Sequence, residues 1–271
     1  MGQKLGQHFL KNQKVISKIL KTLEIENGGV VIEIGPGHGE LTIPLAEACT
    51  KVDAKFIAIE KDAELAKNLK RRLTAAHLNA EVITGDVRSI LPIHIAEIKK
   101  NTPYSVIGNL PYYLTGYLLR LIGKFEPKPR QCIFMLQKEV GGRIVSTPPH
   151  MNRLAAILQF WATTKIIAQV HRSDFSPPPK VDSVLLALIP QRDGVLPFRT
   201  YERVVSLAFR QPRKTLLNNL GAGLSISKDE IISIFSDLKL APKVRPGELT
   251  ITDIKNLAQY LGEALLTLPT D

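Results

Sequence analysis

The amino-acid sequence predicts an α/β protein, a mainly parallel seven-stranded sheet followed by a small all-α C-terminal domain, and three observations carry that reading. From Val30 to about Pro190, short apolar runs of buried-strand character alternate with helical patterns, as in a parallel sheet covered by helices. The first run, Val30 to Ile34, opens directly into the glycine-rich turn Gly35-Pro36-Gly37-His38-Gly39. Beyond Pro190 to Pro197, which breaks every period, the apolar spacing is helical to the end.

Val30 to Ile34, Phe56 to Ile59, Glu81 to Ile83, Ser105 to Ile107 and Cys132 to Leu136 read as the first five strands. A helix is expected from Glu40. Another covers Asp62 to Leu73, where Leu65, Leu69 and Leu73 recur on one face and Lys and Arg fill the other. After a helix near Arg153 to Trp161, the runs Lys165 to Val170 and Ser183 to Ile189 have only a proline-rich loop between them, so they are expected to close the sheet as an antiparallel pair. The proline-flanked break divides the chain into residues 1–190 and 198–271. The second part reads as helices at Tyr201 to Phe209, Lys214 to Leu220, Asp229 to Leu238 and Asp253 to Leu266, with Ser227 and Thr252 as N-caps of the last two.

Composition narrows the function. With 44% hydrophobic and 23% charged residues in 271, the chain is a soluble globular type, which excludes disorder and collagen. No apolar run approaches the roughly 20 residues that span a bilayer. Thirty-six Lys and Arg against twenty-five Asp and Glu give +11, a balance that favours a polyanionic partner. Lys4, Lys11, Lys14, Lys18 and Lys21 all precede the first acid, Glu24, and read as a basic arm and helix. Cys49 and Cys132 are the only cysteines and have no metal or disulfide spacing, which fits a reducing cytoplasm. The histidines likewise lack ligand spacing, so no metal is expected. No segment marks an oligomer interface, and a monomer is the expectation.

The chemistry concentrates at strand ends. A glycine turn between strand and helix lets a ligand approach the backbone. Glu33 and Glu40 beside it disfavour a phosphate and favour a cationic cofactor such as S-adenosylmethionine (SAM), with its ammonium and sulfonium. Glu60, about twenty residues past the glycines, can accept both ribose hydroxyls, and Asp86 can accept an adenine amine. Asn109-Leu110-Pro111-Tyr112 ends the fourth strand. An adenine amine is a poor nucleophile until acceptors hold its protons, and the Asn109 side-chain oxygen and the Leu110 carbonyl could do so. Tyr112 would stack on the extruded base.

These residues, with Leu5-Gly-Gln-His-Phe-Leu10, Leu136-Gln-Lys-Glu139, Phe175-Ser-Pro-Pro-Pro-Lys-Val-Asp-Ser183, Arg210 to Asn219 and Arg245-Pro-Gly-Glu-Leu249, resemble the ribosomal RNA adenine N6,N6-dimethyltransferases over nearly the whole chain, most closely their bacterial small-subunit branch. The resemblance implies a class I SAM-dependent methyltransferase domain, Rossmann-like, with a helical rRNA-binding domain at 198–271. It implies that His8 and Leu10 close over the methionine part of SAM, with Gly35 and Gly37 beneath it. Glu60, Asp86 and Asn109 then take the ribose, the adenine of SAM and the reacting edge, and Phe175 sandwiches the target base against Tyr112. The stretch Ser146 to Arg153 departs from the Gly/Ser-rich loop of the family.

The implied activity is dimethylation of N6 of adjacent adenosines near the 3′ end of 16S rRNA, with a role in small-subunit biogenesis. Two alternatives stand beside it: a large-subunit rRNA adenine dimethylase, and a non-catalytic ribosome-assembly or transcription factor on the same fold. The expected partner is an assembled or partly assembled small subunit. Residues 191–271 carry eleven basic and nine acidic residues, so +9 of the total +11 lies in the first 190. Arg210, Arg213 and Lys214 are expected to add a second RNA contact.

Overall fold

A computed structural model describes residues 8–111, 113–191, 196–224 and 226–262. In chain order it contains β1 (Phe9–Leu10), α1 (Gln13–Thr22), β2 (Val30–Ile34), α2 (Thr42–Lys51), β3 (Lys55–Glu60), α3 (Ala63–Ala75), β4 (Ala80–Thr84) and α4 (Val87–Glu97). There follow β5 (Tyr104–Asn109), α5 (Thr115–Ile122), β6 (Gln131–Gln137), α6 (Lys138–Ile144), α7 (Arg153–Trp161), β7 (Ala162–Val170), β8 (Phe175–Ser176) and β9 (Ser183–Pro190). The remainder is α8 (Phe198–Ala208), α9 (Leu216–Gly221), α10 (Lys228–Asp237) and α11 (Ile251–Tyr260). No helix among the described residues is long and apolar enough to cross a membrane.

The seven-stranded sheet has the order β4-β3-β2-β5-β6-β9-β7. β2 is parallel to β3 and to β5, with Ile34 opposite Ile59 on one side and Gly108 on the other. β5 is parallel to β6, and β9 runs antiparallel to β6. The chain thus winds outward from β2 to β4 and then returns to lay β5 on the other side of β2. That reversal opens a crevice at the carboxyl ends of β2 and β5, where ligands of open α/β sheets bind. All seven strands fall where the apolar runs predict them. The Pro-rich linker behaves as expected in joining β7 and β9 as neighbours, and it also contributes β8, which the sequence does not announce.

Helix ends follow capping chemistry. Asp62 accepts from the backbone N–H groups of Glu64 and Leu65 and starts α3. α2 begins at Thr42, two residues past Glu40, because the chain first completes the glycine turn. The cap of α11 is Thr250, not Thr252: the Thr250 hydroxyl accepts from Asp253 N–H while the Asp253 carboxylate accepts from Thr250 N–H, a reciprocal pair that starts the helix two residues earlier. Residues 263–266, expected in the same helix, lie outside the described residues.

The described residues form two compact units, one from His8 to Gly141 with Thr164–Pro190, the other from Gly142–Thr163 with the described residues from Gln191 on. Beside the expected boundary at Pro190, between 1–190 and 198–271, the chain therefore passes between the units twice more, after Gly141 and after Thr163. α7 joins the helical unit because it is apolar on most of its surface: Ala155, Ala156, Ile157, Leu158, Phe160 and Trp161 are all buried. Phe160 stacks on Tyr201 of α8 with ring centroids 4.0 Å apart, and the Tyr201 hydroxyl donates to the Ala156 carbonyl at 3.1 Å. The divergent stretch after Ser146 docks in the same unit, Met151 N–H donating to the Gly247 carbonyl at 3.0 Å.

Where β2 and β5 meet, Gly108 permits the approach. A Cβ there would lie 2.5 Å from the Ile34 carbonyl oxygen and 3.1 Å from Ile34 Cβ, and β2 cannot yield because it is paired on both edges. Gly108→Ala is expected to cost about 1–3 kcal/mol, the range for an overpacked core. Urea unfolding of the full chain checks this, and an unchanged midpoint would refute the constraint.

Candidate active site

At the carboxyl ends of β2, β3 and β5 lies a cavity of about 250 Å³. His8, Leu10, Glu33, Gly35, Gly37, Glu40, Glu60, Asp86, Asn109 and Leu110 all line it, so residues scattered over a hundred positions meet at one sheet edge. Parallel strands bring their carboxyl ends to the same side, which is why strand-end polar residues converge.

Glu60 ends β3 and is 4% exposed. One carboxylate oxygen accepts from Gly37 N–H at 3.0 Å and the other from Asp62 N–H at 2.9 Å, so this side chain ties the glycine turn to its neighbour strand. Each oxygen keeps a second acceptor site for a ligand hydroxyl. Gly37 has φ +59°, and a Cβ on it would sit 2.6 Å from the Phe9 ring. Phe9 in turn rests on His38, with ring centroids 4.1 Å apart.

Glu33 lies on the cavity wall yet is buried, and its Oε2 has no hydrogen-bond partner among the described residues. Burial pushes its carboxyl up to about 8, the neighbouring Thr42 hydroxyl offsets part of the rise, and the like charges of Glu60 and Glu40 add to it. A buried carboxyl oxygen left without a partner on a pocket wall suits a cationic ligand.

The N-terminal arm builds another wall. β1 pairs antiparallel with β8, Phe9 opposite Ser176 and Leu10 opposite Phe175. Lys11 N–H and the Asn12 amide both donate to Asp174, at 2.8 and 2.7 Å. The His8 ring donates from Nδ1 to the Pro177 carbonyl at 2.8 Å. The His8 carbonyl then accepts from Asn109 Nδ2 at 2.8 Å. A carbonyl can only accept, so the amide must present its nitrogen to His8, which leaves Oδ1 as an acceptor.

Two expected roles meet different surroundings. Asp86 caps α4, accepting from Arg88 N–H, and its carboxylate is forked by the Arg88 guanidinium at 3.0 and 2.8 Å, with Lys61 3.4 Å away. The Arg88 side chain holds the Asp86 carboxyl well below the usual carboxylate range. Asp86 is on the cavity wall, but an adenine amine would share it with Arg88. Phe175, expected to stack on the target base, is 2% exposed and belongs to the core with Leu10, Met135 and Leu185. It pairs across strands with Leu10 and is not among the residues that line the cavity. Tyr112 lies outside the described residues. The neighbouring Tyr113 does line the cavity and is 65% exposed, a candidate that motif reading passed over.

The strand order, the switch-point cavity and its carboxyl-rich wall define a class I SAM-dependent methyltransferase fold. A profile of the ribosomal RNA adenine dimethylase family matches residues 2–262, and the chain belongs to that family. It is 35% identical to Ribosomal RNA small subunit methyltransferase A of Dehalococcoides mccartyi over 263 residues, 95% of this chain and 88% of that protein. It is also 35% identical to the protein of the same name from Nitrosococcus oceani over 269 residues, covering 95% of each. The crystal structure of a dimethyladenosine transferase from Plasmodium falciparum shares the fold with a TM-score of 0.80 at 24% identity, covering 95% of this chain and 98% of that one. That of the 23S rRNA methyltransferase ErmE gives 0.71 at 22%, with 94% and 99% covered.

The cavity fits SAM in its chemistry: a buried carboxyl with one unpartnered oxygen for a cation, a strand-end carboxylate for ribose hydroxyls and a glycine turn open to close approach. The Glu33 carboxyl makes this testable by pH. Its value is raised on folding from 4.5 to about 8, so the stability it contributes is complete below about pH 4.5 and is lost as pH rises through about 8. Glu33→Gln, which mimics the protonated form, should match the wild type in melting temperature near pH 5 and exceed it at pH 9, while weakening SAM binding. Melting curves and calorimetry at both pH values check this, and an equal difference at both would refute it.

Proposed function

We propose that this protein transfers two methyl groups from SAM to N6 of each of two adjacent adenosines near the 3′ end of 16S rRNA, on the small subunit or its precursor in the cytoplasm, and so serves small-subunit biogenesis. It is a SAM-dependent rRNA adenine methyltransferase. The two 35% identical relatives that bear a small-subunit methyltransferase name support the choice of subunit.

The observation that carries the chemistry is the donation from Asn109 Nδ2 to the His8 carbonyl. It fixes the amide so that Oδ1, on the cavity wall, can accept one proton of an adenine amine, with the Leu110 carbonyl as the second acceptor. Held this way, the amine turns its lone pair out of conjugation with the ring and toward the donor. SAM, when bound, supplies an electrophilic methyl carbon on a sulfonium. Transfer of that methyl would leave the amine nitrogen positively charged and acidic enough to lose its proton to water, so no strong side-chain base is needed. The monomethylated amine keeps one proton for an acceptor and its lone pair, which permits the second transfer.

The helical domain at 198–271 is read as the rRNA-binding part. Arg210, Arg213 and Lys214 are exposed on a turn held from behind by buried Asn219, whose amide accepts from Gln211 N–H at 2.8 Å and donates to the Gln211 and Thr215 carbonyls at 3.0 and 3.1 Å. A turn locked this way presents its cations without a large ordering cost.

Mass spectrometry of rRNA after incubating unmethylated subunits with the protein and SAM tests the proposal. Dimethyladenosine at adjacent positions of 16S rRNA is expected. Product confined to 23S rRNA, product that stops at one methyl, or no product would refute it. Asn109→Ala should lower turnover by roughly 10²-fold or more, as for loss of one transition-state hydrogen-bonding group, with SAM affinity near that of the wild type. Turnover within threefold of the wild type would remove Asn109 from this role.

A further inference from the structure

Tyr113 and Tyr117 are large aromatics left at the surface, 65% and 50% exposed. The phase of α5 explains why. Thr115, Leu118, Leu119 and Ile122 form its buried face, at the i, i+3, i+4 and i+7 spacing that anchors a helix, which leaves Tyr117 on the outer side. Tyr113, just before the helix, lines the cavity and is more exposed still. Arg88, in the first turn of α4, is half-exposed. Arg88 is itself held by Asp86, and Lys61, half-exposed, adds a second cation on the cavity wall. Tyr113, Lys61 and Asp86 thus line one cavity, with Arg88 paired to the Asp86 carboxylate and Tyr117 four residues beyond Tyr113.

Extruding an adenine from a stack leaves its neighbours with an unstacked face. Aromatic rings and guanidinium planes next to such a site recover that stacking without regard to sequence, while cations meet the phosphates. The surplus of positive charge on this chain points to the same polyanion. We propose that Tyr113, Tyr117 and Arg88 form a stacking platform at the cavity mouth that receives the unpaired nucleotides flanking the target adenosine. The proposal rests on the reading of the cavity as the site of rRNA adenine methylation.

The test uses the full chain with Tyr117→Ala and Tyr117→Phe. With unmethylated small subunits and SAM, Tyr117→Ala should raise KM for the subunit on the order of tenfold, the effect of losing one base–aromatic stack, with SAM affinity unchanged. Tyr117→Phe, which keeps the ring, should stay within about twofold of the wild type. A single-stranded RNA oligonucleotide carrying 2-aminopurine beside an adenosine should be quenched by stacking on the wild type and on Tyr117→Phe, and much less on Tyr117→Ala. The platform is overturned by an unchanged KM in Tyr117→Ala, by equal losses in both variants, by loss of SAM affinity alongside RNA affinity, or by quenching that ignores position 117. Absence of dimethyladenosine from wild-type reactions would instead overturn the proposed function, and the quenching series would still decide the platform.

Discussion

β2 is hydrogen-bonded to parallel neighbours on both edges, and the site depends on that constraint. With Ile34 held between Ile59 and Gly108, the ends of β3, β2 and β5 are brought level, and the residues that follow them emerge at one place. The glycine turn, Glu60 and Asn109 belong to three different strand ends, and only this register makes them neighbours. Gly108 lets the two central strands approach at the point where the sheet reverses its winding, and Glu60 then fastens the turn after β2 to the end of β3.

On that frame the N-terminal arm acts as a strap. It crosses to the proline-rich loop before β9, forms the short β1–β8 ribbon, and sets the His8 carbonyl against Asn109. The arm residues that enclose one side of the cavity also hold the Asn109 amide, through the His8 carbonyl. Phe9 extends the coupling to the glycine turn, since its ring occupies the space that a Cβ on Gly37 would need.

Electrostatics divide the cavity. On one side are Glu33, buried and held near neutrality, and Glu60, satisfied by backbone N–H groups. On the other, Asp86 is ionised by its contact with Arg88, and Lys61 stands nearby.

Much of this was legible in the sequence. The strands were, because fully buried parallel strands read as unbroken apolar runs, and so were Glu33, Glu60, Asp86 and Asn109, because a strand end is a local feature and parallel strands share one edge. The strap was not, since a two-residue ribbon between Phe9 and Ser176 has no period to detect. Asp86 shows the same limit: its place at a strand end is local, but its capture by Arg88 depends on a side chain folding back. Phe175 was placed against the target base by its motif, and the fold buries it in the core beside Leu10. α7 announced itself as a helix, yet only packing assigned it to the helical unit. Sequence periodicity records which side of an element avoids water. Which partner covers that side, and which polar atoms are consumed in covering it, is settled by contacts between residues far apart in the chain.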